Sequence, residues 1–406
     1  MNGEEIRIGI IGGGICGLVC AYELMKAGMP STIFEKEREV GGRIQTESID
    51  GRAIDTGANT FSNSYKNLRQ LIPELNLERE VRKIPLNSEA IYANGEVLSP
   101  KSMLSSKTFS KSDLISIARI SMQRELKNVR LPPDENFYYE HHGRSWGEEM
   151  RKEYSDRIVS NFLDPVARTV CIRDSRHLSA AYGKFLQVLI RQPKFIFKSG
   201  FRVVIVALEE RIQGAAKVLR NSRVVEVNRS GNEFTVTLER NGGSSEVNVD
   251  VLVSTVPFPV LNRIYPECKA KMKYAKSVVI IARGKKKEAF QNIYSLAAGE
   301  NPGHIVGYAG EDVLKILADS EDFDLGLVFE DYEIIKTIHH EQTTALAEPG
   351  CSIPPVSDDT KRFYLGGDFY FYPSVEAAVT SGKLIAKKIV EHWSPNECQM
   401  TSDNIC

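Results

Sequence analysis

The chain has 406 residues, of which 42% are hydrophobic and 26% are charged. This composition excludes a disordered chain, a collagen-like repeat and a disulfide-rich miniprotein, and at ~150 residues per domain the length suggests two or three domains. Lysine plus arginine total 52 and aspartate plus glutamate total 53, and this net charge of -1 argues against a general nucleic-acid-binding protein.

The cysteines and the apolar runs indicate the compartment. Seven cysteines are scattered along the chain without a CxxC pair, which favours reduced thiols over a disulfide framework. The apolar run at 6–18 is interrupted by glycines and follows an acidic start, so it is a poor signal peptide. No run reaches the ~18 uncharged apolar residues that a membrane-spanning helix needs. We therefore expect a cytoplasmic protein.

The first predicted elements are a strand, a glycine loop, a helix and a second strand. Residues 6–11 are rich in β-branched side chains, and a glycine-rich loop separates them from a helix that ends near Gly28. The second strand, 31–34, ends at Glu35. This order is typical of a βαβ nucleotide-binding unit.

Each glycine of the GxGxxG pattern has a physical reason. Gly12 permits a tight turn, Gly14 lets the backbone approach a pyrophosphate, and Gly17 lets helix and strand pack closely. The helix N-terminus attracts phosphate, and Glu35 lies 18 residues after Gly17, near the ~20 expected for an acid that holds a ribose hydroxyl. An acid there disfavours NADP. The pattern predicts dinucleotide binding over a purely structural turn but does not separate NAD from FAD.

Gly41, Gly42 and Arg43 follow soon after Glu35, and this arrangement resembles the extended FAD signature of the flavin-containing amine oxidoreductase superfamily. That superfamily includes amine oxidases, protoporphyrinogen oxidases and phytoene-type desaturases. The resemblance implies that the glycines pass the flavin end of FAD, with Arg43 near the pyrophosphate. It also implies that Thr46 and the segment 54–58 belong to the family's next block, which lies against the isoalloxazine ring.

Two later blocks extend the resemblance. Three strands, at 223–227, 233–237 and 245–249, alternate with turn residues and predict a meander, and a strand at 250–257 follows. Near the end, Gly366-Gly367-Asp368 precede a helix that opens near Ser374. The resemblance implies that Asp368 holds the ribityl or phosphate portion, and that the helix N-terminus faces the flavin edge where reduction leaves negative charge.

Together these blocks supply the predicted cofactor contacts. They are Gly12, Gly14, Ile15, Cys16, Gly17, Glu35, Lys36, Gly42, Arg43, Gly57, Ala58, Asn59, Val225, Thr255, Gly367, Asp368, Ser374, Val375 and Glu376.

The implied fold is α/β, a Rossmann-like FAD-binding domain (a GR2-type flavoprotein) with an interleaved α+β substrate domain. The FAD-binding domain is predicted from 1–60, 200–260 and 355–395. The substrate-binding domain, which carries a helical lobe, comes from 61–199 and 261–354, and 396–406 is a tail. The stretch 61–199 looks largely helical, and its part from Ser145 to Ala180 resembles protoporphyrinogen oxidases in particular.

Several other features have less specific interpretations. Residues 112–130 suggest a basic amphipathic helix, for which packing on its own domain is favoured over a membrane surface. Adjacent histidines, at 141–142 and 339–340, lack metal-ligand spacing and are assigned to surface or loops, so no metal is expected. Lys276 is a candidate for the family's flavin-adjacent lysine. Cys351 lies too close to Asp368 for covalent attachment, so noncovalent FAD is expected.

The resemblance implies an FAD-dependent oxidoreductase that removes a hydride from a small organic substrate. A protoporphyrinogen-oxidase-like or desaturase-like dehydrogenation is preferred, with dioxygen or another electron acceptor. The alternatives are an amine oxidase and a flavin-binding protein that uses FAD structurally or without redox turnover. Ser374 weakens the amine-oxidase alternative, because many amine oxidases place an aromatic residue there. No general base is predicted.

Overall fold

The computed structural model describes residues 6–85, 88–131, 134–240, 242–298, 303–307 and 312–393. The predicted tail, 396–406, lies outside the described residues. Strands are numbered β1 to β20 and helices α1 to α11 in chain order.

A five-stranded parallel sheet forms the centre of one layer, in the order β10-β2-β1-β14-β20. All four pairings are parallel, and β1 is central because it pairs with strands that follow it by about 20 and by about 240 residues. The strands are β1 (Ile8–Ile11), β2 (Ser31–Phe34), β10 (Ala216–Leu219), β14 (Val251–Ser254) and β20 (Phe363–Leu365). Both βαβ strands predicted around the glycine loop are confirmed.

Helices cover this sheet, as a parallel sheet requires. They are α1 (Ile15–Lys26), α9 (Arg202–Arg211) and α11 (Val375–Trp393), with α10 (Phe258–Ile264) after β14. The first and last of them, α1 and α11, pack closely: a Cβ added at Gly382 would lie 2.6 Å from the backbone oxygen of Cys16. Within the described residues, no helix is long and apolar enough to cross a membrane.

A seven-stranded sheet forms the second layer, in the order β19-β15-β18-β17-β16-β7-β8. Its strands are β7 (Glu89–Ala93), β8 (Glu96–Leu98), β15 (Tyr274–Lys286), β16 (Ser295–Ala298), β17 (Gly303–Gly307), β18 (Val313–Ala318) and β19 (Phe329–Ala345). Among the described strands of this sheet, only β7 and β16 pair in parallel. The largely helical interpretation of 61–199 missed the β7–β8 hairpin, which joins this sheet.

Three small sheets connect the two layers. The predicted meander is confirmed as an antiparallel sheet. Its strands are β11 (Arg223–Ser230), β12 (Glu233–Arg240) and β13 (Gly243–Val249). The other two sheets are the hairpin of β3 (Thr46–Ile49) and β4 (Arg52–Asp55), and the set of β5 (Phe61–Ser62), β6 (Val81–Lys83) and β9 (Lys194–Phe197).

Helices between 66 and 191 form a lobe whose buried side chains belong to the same apolar cluster as those of the parallel sheet. They are α2 (Lys66–Glu74), α3 (Lys111–Met122), α4 (Glu135–His141), α5 (Trp146–Glu153), α6 (Asp156–Ile158), α7 (Asp164–Cys171) and α8 (Ala180–Arg191). The Trp146 ring is fully buried and lies against α8.

The amphipathic helix predicted at 112–130 is wrong in its extent and in its buried face. The helix ends at Met122, because Gln123 takes φ -54° and ψ 133°, which is not helical. Ile117 is buried, whereas Ile115 and Met122 of the predicted apolar face are 59% and 65% exposed. Because the helix ends before Gln123, the apolar residues before and after this position do not lie on one face of a single helix.

A substitution at Gly183 tests the packing of the lobe. A Cβ at this position would lie 2.0 Å from Cγ of the Trp146 indole. We expect Gly183→Ala to lower the free energy of unfolding by about 1–3 kcal/mol, because neither the helix backbone nor the buried ring can move away freely. Urea unfolding measures the change. Gly143→Ala is the control, since no atom lies within 4 Å of its added Cβ; equal midpoints for the two variants would contradict this packing.

Candidate cofactor site

The carboxyl ends of four parallel strands meet at one edge and carry residues from all parts of the chain. Ile11, Phe34, Ser254 and Leu365 are in register across the sheet, as the pairings of β1 with β2 and β14 and of β14 with β20 show. The positions that follow them are Gly12, Glu35, Thr255 and Gly366. The structure therefore brings the N-terminal, middle and C-terminal predicted blocks together at the edge where open α/β sheets bind ligands.

The glycine loop is held by packing at two of its three signature positions. Gly12 has φ +100°, and its N–H donates to the Phe34 carbonyl at 3.0 Å. A Cβ at Gly17 would lie 2.2 Å from the Gly12 oxygen. The Thr255 hydroxyl donates to the Ile11 and Gly12 carbonyls at 2.9 and 3.0 Å, so this residue supports the loop from the adjacent strand.

Gly14 differs from its neighbours, because no protein atom lies within 4 Å of a Cβ added there. Its backbone conformation, φ -73° and ψ 175°, is open to any residue. The fold of the chain therefore gives no reason for a glycine at this position. Close approach of a ligand to the loop does give one.

Glu35 binds the glycine loop to the end of β2. Its carboxylate accepts N–H bonds from Gly13 at 2.8 Å and from Glu37 at 2.9 Å, and the residue is only 6% exposed. The role predicted for Glu35 toward a ribose thus comes with a second role in shaping the loop. The Lys36 side chain is exposed and forms an ion pair with Glu37 at 3.0 Å.

The second glycine pair lies directly against the first. The Gly41 N–H donates to the Gly13 carbonyl at 2.8 Å, and a Cβ at Gly42 would lie 3.5 Å from the Gly14 Cα. Both Gly41 and Gly42 have positive φ, +125° and +56°. The Arg202 guanidinium holds this turn by donating to the Val40 carbonyl at 3.1 Å.

Arg43 and Asp368 form a bidentate ion pair. Both N–H···O distances are 2.7 Å, and the side chains are 36% and 12% exposed. The pair also contacts β19: Arg43 donates to the Thr343 carbonyl at 3.1 Å, and the Ala345 N–H donates to Asp368 at 3.3 Å. Two predicted cofactor residues thus fix each other in place beside the second sheet.

The segment at 56–59 is held on two sides. A Cβ at Gly57 would lie 1.7 Å from the Arg43 backbone oxygen, so only glycine fits there. On the other side the Lys315 ammonium donates to the Gly57 carbonyl at 3.0 Å. Lys315 is 3% exposed, and burial lowers its pKa to about 8 against the opposing effect of the Asp55 charge.

Two further observations fit a bound dinucleotide. The Asn59 side-chain Nδ2 is buried and has no hydrogen-bond partner in the described structure. The β11–β12 register shifts between Val224 and Glu226, so Val225 has no partner residue opposite it. A bulge of this kind leaves a backbone donor and acceptor outside the ladder. An adenine dinucleotide would need hydrogen-bonding groups and space for close approach. The Asn59 amide, the Val225 backbone and the open side of Gly14 offer these.

The N-terminus of α11 closes the site. The Ser374 hydroxyl accepts the Ala377 N–H at 3.0 Å, while the earlier amides of a helix have no intrahelical partner. Glu376 is fully buried and accepts the N–H groups of Asn67 and Leu68 at 2.8 and 2.9 Å, which caps α2. Burial raises the pKa of Glu376 to about 7, although these two hydrogen bonds act to lower it.

The remaining predicted contacts are buried supports around the loop. Ile15 and Cys16 open α1, and the Cys16 thiol lies 3.3 Å from the Ser381 hydroxyl of α11. The same hydroxyl accepts the Gly367 N–H at 3.0 Å, which ties the C-terminal block to the loop. Ala58 is half-buried beside Gly57.

The structure places the less specific candidates elsewhere. Lys276 points outward, with its side chain 71% exposed and paired with Glu341 at 2.5 Å, so it does not face the segment at 56–59. The Cys351 thiol lies 3.5 Å from the Met272 sulfur. His141 is buried on α4, which corrects its assignment to the surface, and it contacts Arg144. Among the described residues, no group of three His, Cys, Asp or Glu could hold a metal ion.

Two residues near the segment at 56–59 were not predicted from the sequence. Lys315 is the only charged residue in the apolar strand β18, and that contrast was the available signal. His340 was assigned to the surface, but its Nε2 is buried without a partner among the described residues. Burial, together with the Lys315 charge, lowers the pKa of His340. Nothing in the sequence separated it from the exposed His339.

Comparison with known protein families shows to which family the chain belongs. Residues 15–291 match the family described as flavin containing amine oxidoreductase. The chain belongs to this family. The match begins at α1 and includes the second glycine pair, the segment at 56–59 and the meander.

Curated relatives within the family have several activities. The chain is 28% identical over 226 residues to a mitochondrial protoporphyrinogen oxidase of Nicotiana tabacum, covering 53% of this chain and 43% of that protein. It is 23% identical over 332 residues to a coproporphyrinogen III oxidase of Bacillus subtilis, covering 70% of this chain and 67% of that protein. A 15-cis-phytoene desaturase of Synechococcus elongatus is 36% identical over 18% of this chain and 16% of its own length. The matched part of the chain thus spans less than half of the first enzyme and about two thirds of the second.

Solved structures of the family share the fold across almost the whole chain. A putative protoporphyrinogen oxidase from Exiguobacterium has a TM-score of 0.71 at 16% identity and covers 95% of this chain and 99% of its own. Cyclohexylamine oxidase from Brevibacterium oxydans also has a TM-score of 0.71 at 16% identity, with coverage of 96% and 99%. These similarities establish the mixed α/β fold with its parallel sheet.

The buried Glu376 predicts a pH dependence of stability. In the folded protein its pKa is about 7, above the ordinary value of 4.5. Its contribution to the free energy of unfolding is therefore complete below pH 4.5 and is lost as the pH rises through 7. We expect the stability difference between the wild type and Glu376→Gln to favour the wild type by about 3 kcal/mol more at pH 5 than at pH 8. Urea unfolding at a series of pH values measures it.

Glu391→Gln is the matched control on the same helix, because Glu391 is half-exposed and pairs with Lys387 at 3.6 Å. The plot of its free energy of unfolding against pH is expected to run parallel to that of the wild type. A Glu376→Gln curve that also runs parallel would contradict the assignment.

Proposed function

We propose that the chain is an FAD-dependent oxidoreductase that removes a hydride from a C–H bond of a small organic substrate, giving a C=C or C=N bond. The observation that carries this is the open face of Gly14 at the meeting point of four strand ends, within a family of flavoenzymes. Bound FAD would supply the hydride acceptor. A protoporphyrinogen-oxidase-like or desaturase-like dehydrogenation is preferred, with dioxygen or another acceptor completing the cycle.

The proposal includes the division of the chain into two domains. The parallel sheet, α1, α9, α11 and the meander would form the Rossmann-like FAD-binding domain. The seven-stranded sheet and the helical lobe would form the substrate domain. The contacts of Arg43 and Asp368 with β19 support this division, because they join the second sheet to the edge of the parallel sheet at which the flavin would lie.

The residues would act mainly by binding and orientation. The glycine loop and α1 would hold the pyrophosphate, Val225 the adenine, and Asn59 the flavin end. The first amides of α11 would stabilise negative charge on the reduced ring. FAD would be noncovalent, since the Cys351 thiol lies against the Met272 sulfur.

The buried aromatic residues give no support to an amine cage. Tyr372 is fully buried and stacks on Phe185, with ring centroids 4.8 Å apart and planes 4° apart. Phe371 is 4% exposed and meets Tyr138 edge-on at 4.8 Å. These rings belong to the core of the helical lobe, which favours dehydrogenation over amine oxidation. The amine oxidase stays as the alternative to be tested.

A substitution at Gly14 tests the cofactor site. We expect Gly14→Val to lower the affinity for FAD by at least about tenfold, because its side chain would fill the space that the cofactor needs. Fluorescence titration of the apoprotein with FAD measures the affinity. The apoprotein should lose no more than about 1 kcal/mol of stability, the scale of a helix N-cap effect, because an added Cβ has no protein atom within 4 Å apart from its own chain neighbours.

Gly17→Ala is the comparison, since its Cβ would clash with the Gly12 oxygen and destabilise the apoprotein itself. Wild-type affinity in Gly14→Val would show that the loop is only a structural turn.

Anaerobic mixing of the holoenzyme with porphyrinogens, polyenes and amines distinguishes the reactions. We expect bleaching of the flavin absorbance by a substrate that loses a hydride to form a C=C bond, and little by simple amines. Bleaching by amines alone would support the amine oxidase. No bleaching by any class would support the non-redox use of FAD.

A further inference from the structure

His340, on β19, carries a buried hydrogen-bonding atom that the protein itself leaves unused. Its Nε2 is shielded from solvent and has no hydrogen-bond partner among the described residues. Leaving a buried polar atom without a partner is costly, so native structures rarely keep one unless another molecule satisfies it. The imidazole is therefore a candidate for contact with a bound group.

An irregularity in the pairing of β19 lies between this imidazole and the candidate cofactor site. Directly after His340, the register sets three residues of β19, 341–343, against one residue of β15, Lys276. Bulges re-aim side chains and are frequent beside active sites. The Thr343 carbonyl, within this bulge, accepts the Arg43 guanidinium at 3.1 Å. His340 thus adjoins the part of β19 that contacts the bidentate ion pair.

The neighbouring His339 has the opposite environment, because successive side chains of a strand point to opposite faces of the sheet. The His339 side chain is 58% exposed, and its Nε2 lies 2.8 Å from a carboxylate oxygen of Glu321. The buried, unsatisfied nitrogen is therefore particular to His340 and is not a property of the histidine pair.

The surroundings of His340 determine the state of its ring. Burial, followed by the Lys315 charge, lowers the pKa of the imidazole, so the ring is neutral at pH 7. A hydrogen bond with the Thr56 backbone acts to raise the pKa, which is the effect of a carbonyl that accepts an imidazole N–H. Since Nε2 has no partner in the described part of the chain, Nδ1 carries the proton. Nε2 therefore presents a lone pair that needs a donor.

The segment at 56–59 connects His340 with the flavin end of the candidate site. Lys315 on β18 donates to the Gly57 carbonyl at 3.0 Å, while His340 on β19 hydrogen-bonds the backbone of the residue before it. At the other end of the segment, the Asn59 Nδ2 is a buried donor without a partner in the described structure. The segment thus has an unsatisfied acceptor near one end and an unsatisfied donor at the other.

We propose that His340 binds the isoalloxazine ring of FAD, with its Nε2 accepting a hydrogen bond from the ring N3–H. The oxidised ring has a single N–H group, at N3, and its other edge heteroatoms only accept hydrogen bonds. The N3–H lies between two ring carbonyls, so a neighbouring acceptor and donor, the His340 imidazole and the Asn59 amide, complement this edge. This inference rests on the proposed function, and it deepens it by assigning a residue to the flavin ring.

The test compares FAD with 3-methyl-FAD, in which a methyl group replaces the N3 hydrogen, and with ADP, which lacks the flavin. Isothermal titration calorimetry of the full-length apoprotein measures the three affinities. We expect the wild type to bind 3-methyl-FAD at least about tenfold more weakly than FAD, because the donor is lost. In His340→Ala the two flavins should bind within about twofold of each other, since no acceptor is left and the methyl group has space. The affinity for ADP should stay within about twofold of the wild type.

His340→Gln should keep part of the preference for FAD, because its amide oxygen can accept the same N–H. His339→Ala is the matched control on the same strand and should keep all of it, since that side chain is exposed. His340→Asn, whose amide is shorter, should behave as His340→Ala does, and it replaces that variant if the alanine protein no longer binds ADP. A wild type that does not distinguish the two flavins, or an unchanged preference in the alanine or asparagine variant, overturns the proposal. Failure of the proposed function is a different result, because the wild type would then bind neither flavin.

Discussion

The ion pair between Arg43 and Asp368 joins every part of the candidate site. It connects residues 325 positions apart, and it contacts β19 through the Thr343 carbonyl and the Ala345 N–H. A partly buried pair of this kind adds little net stability, because the loss of hydration offsets much of the attraction. Removing one partner, however, leaves an uncompensated charge in a confined place. The pair therefore constrains geometry: it sets where the C-terminal block and the second sheet stand relative to the glycine loop.

The same hydrogen bonds serve the fold and the site. Glu35 shapes the glycine loop, Thr255 supports it from the adjacent strand, and Glu376 caps α2 from the start of α11. In each case the polar group that faces the cofactor region is also held by protein atoms. Groups that are already fixed need not reorganise when a ligand binds, which is the physical basis of preorganisation.

Local features of the sequence predicted local structure well. The glycine loop, the meander and the helix after Ser374 each follow from residue patterns of short range, such as turn glycines and alternating apolar residues. Two long-range features were not predictable. The β7–β8 hairpin is part of the second sheet only because β16, about 200 residues later, pairs with it. Lys315 reaches Gly57 only because β18 lies in the middle of that sheet. The apolar pattern at 112–130 likewise spans two differently oriented pieces, and Gln123 gave no sign of the break between them.

The packing of α1 against α11 has a consequence for biosynthesis. The glycine loop is translated long before the helix α11 that packs on α1. The helices begin 375 − 15 = 360 residues apart. At ~5–20 residues per second, roughly 20 to 70 s therefore separate their emergence from the ribosome. During that interval the face of α1 that packs on α11 has no native partner, so the nascent chain exposes this apolar surface while the intervening residues are made.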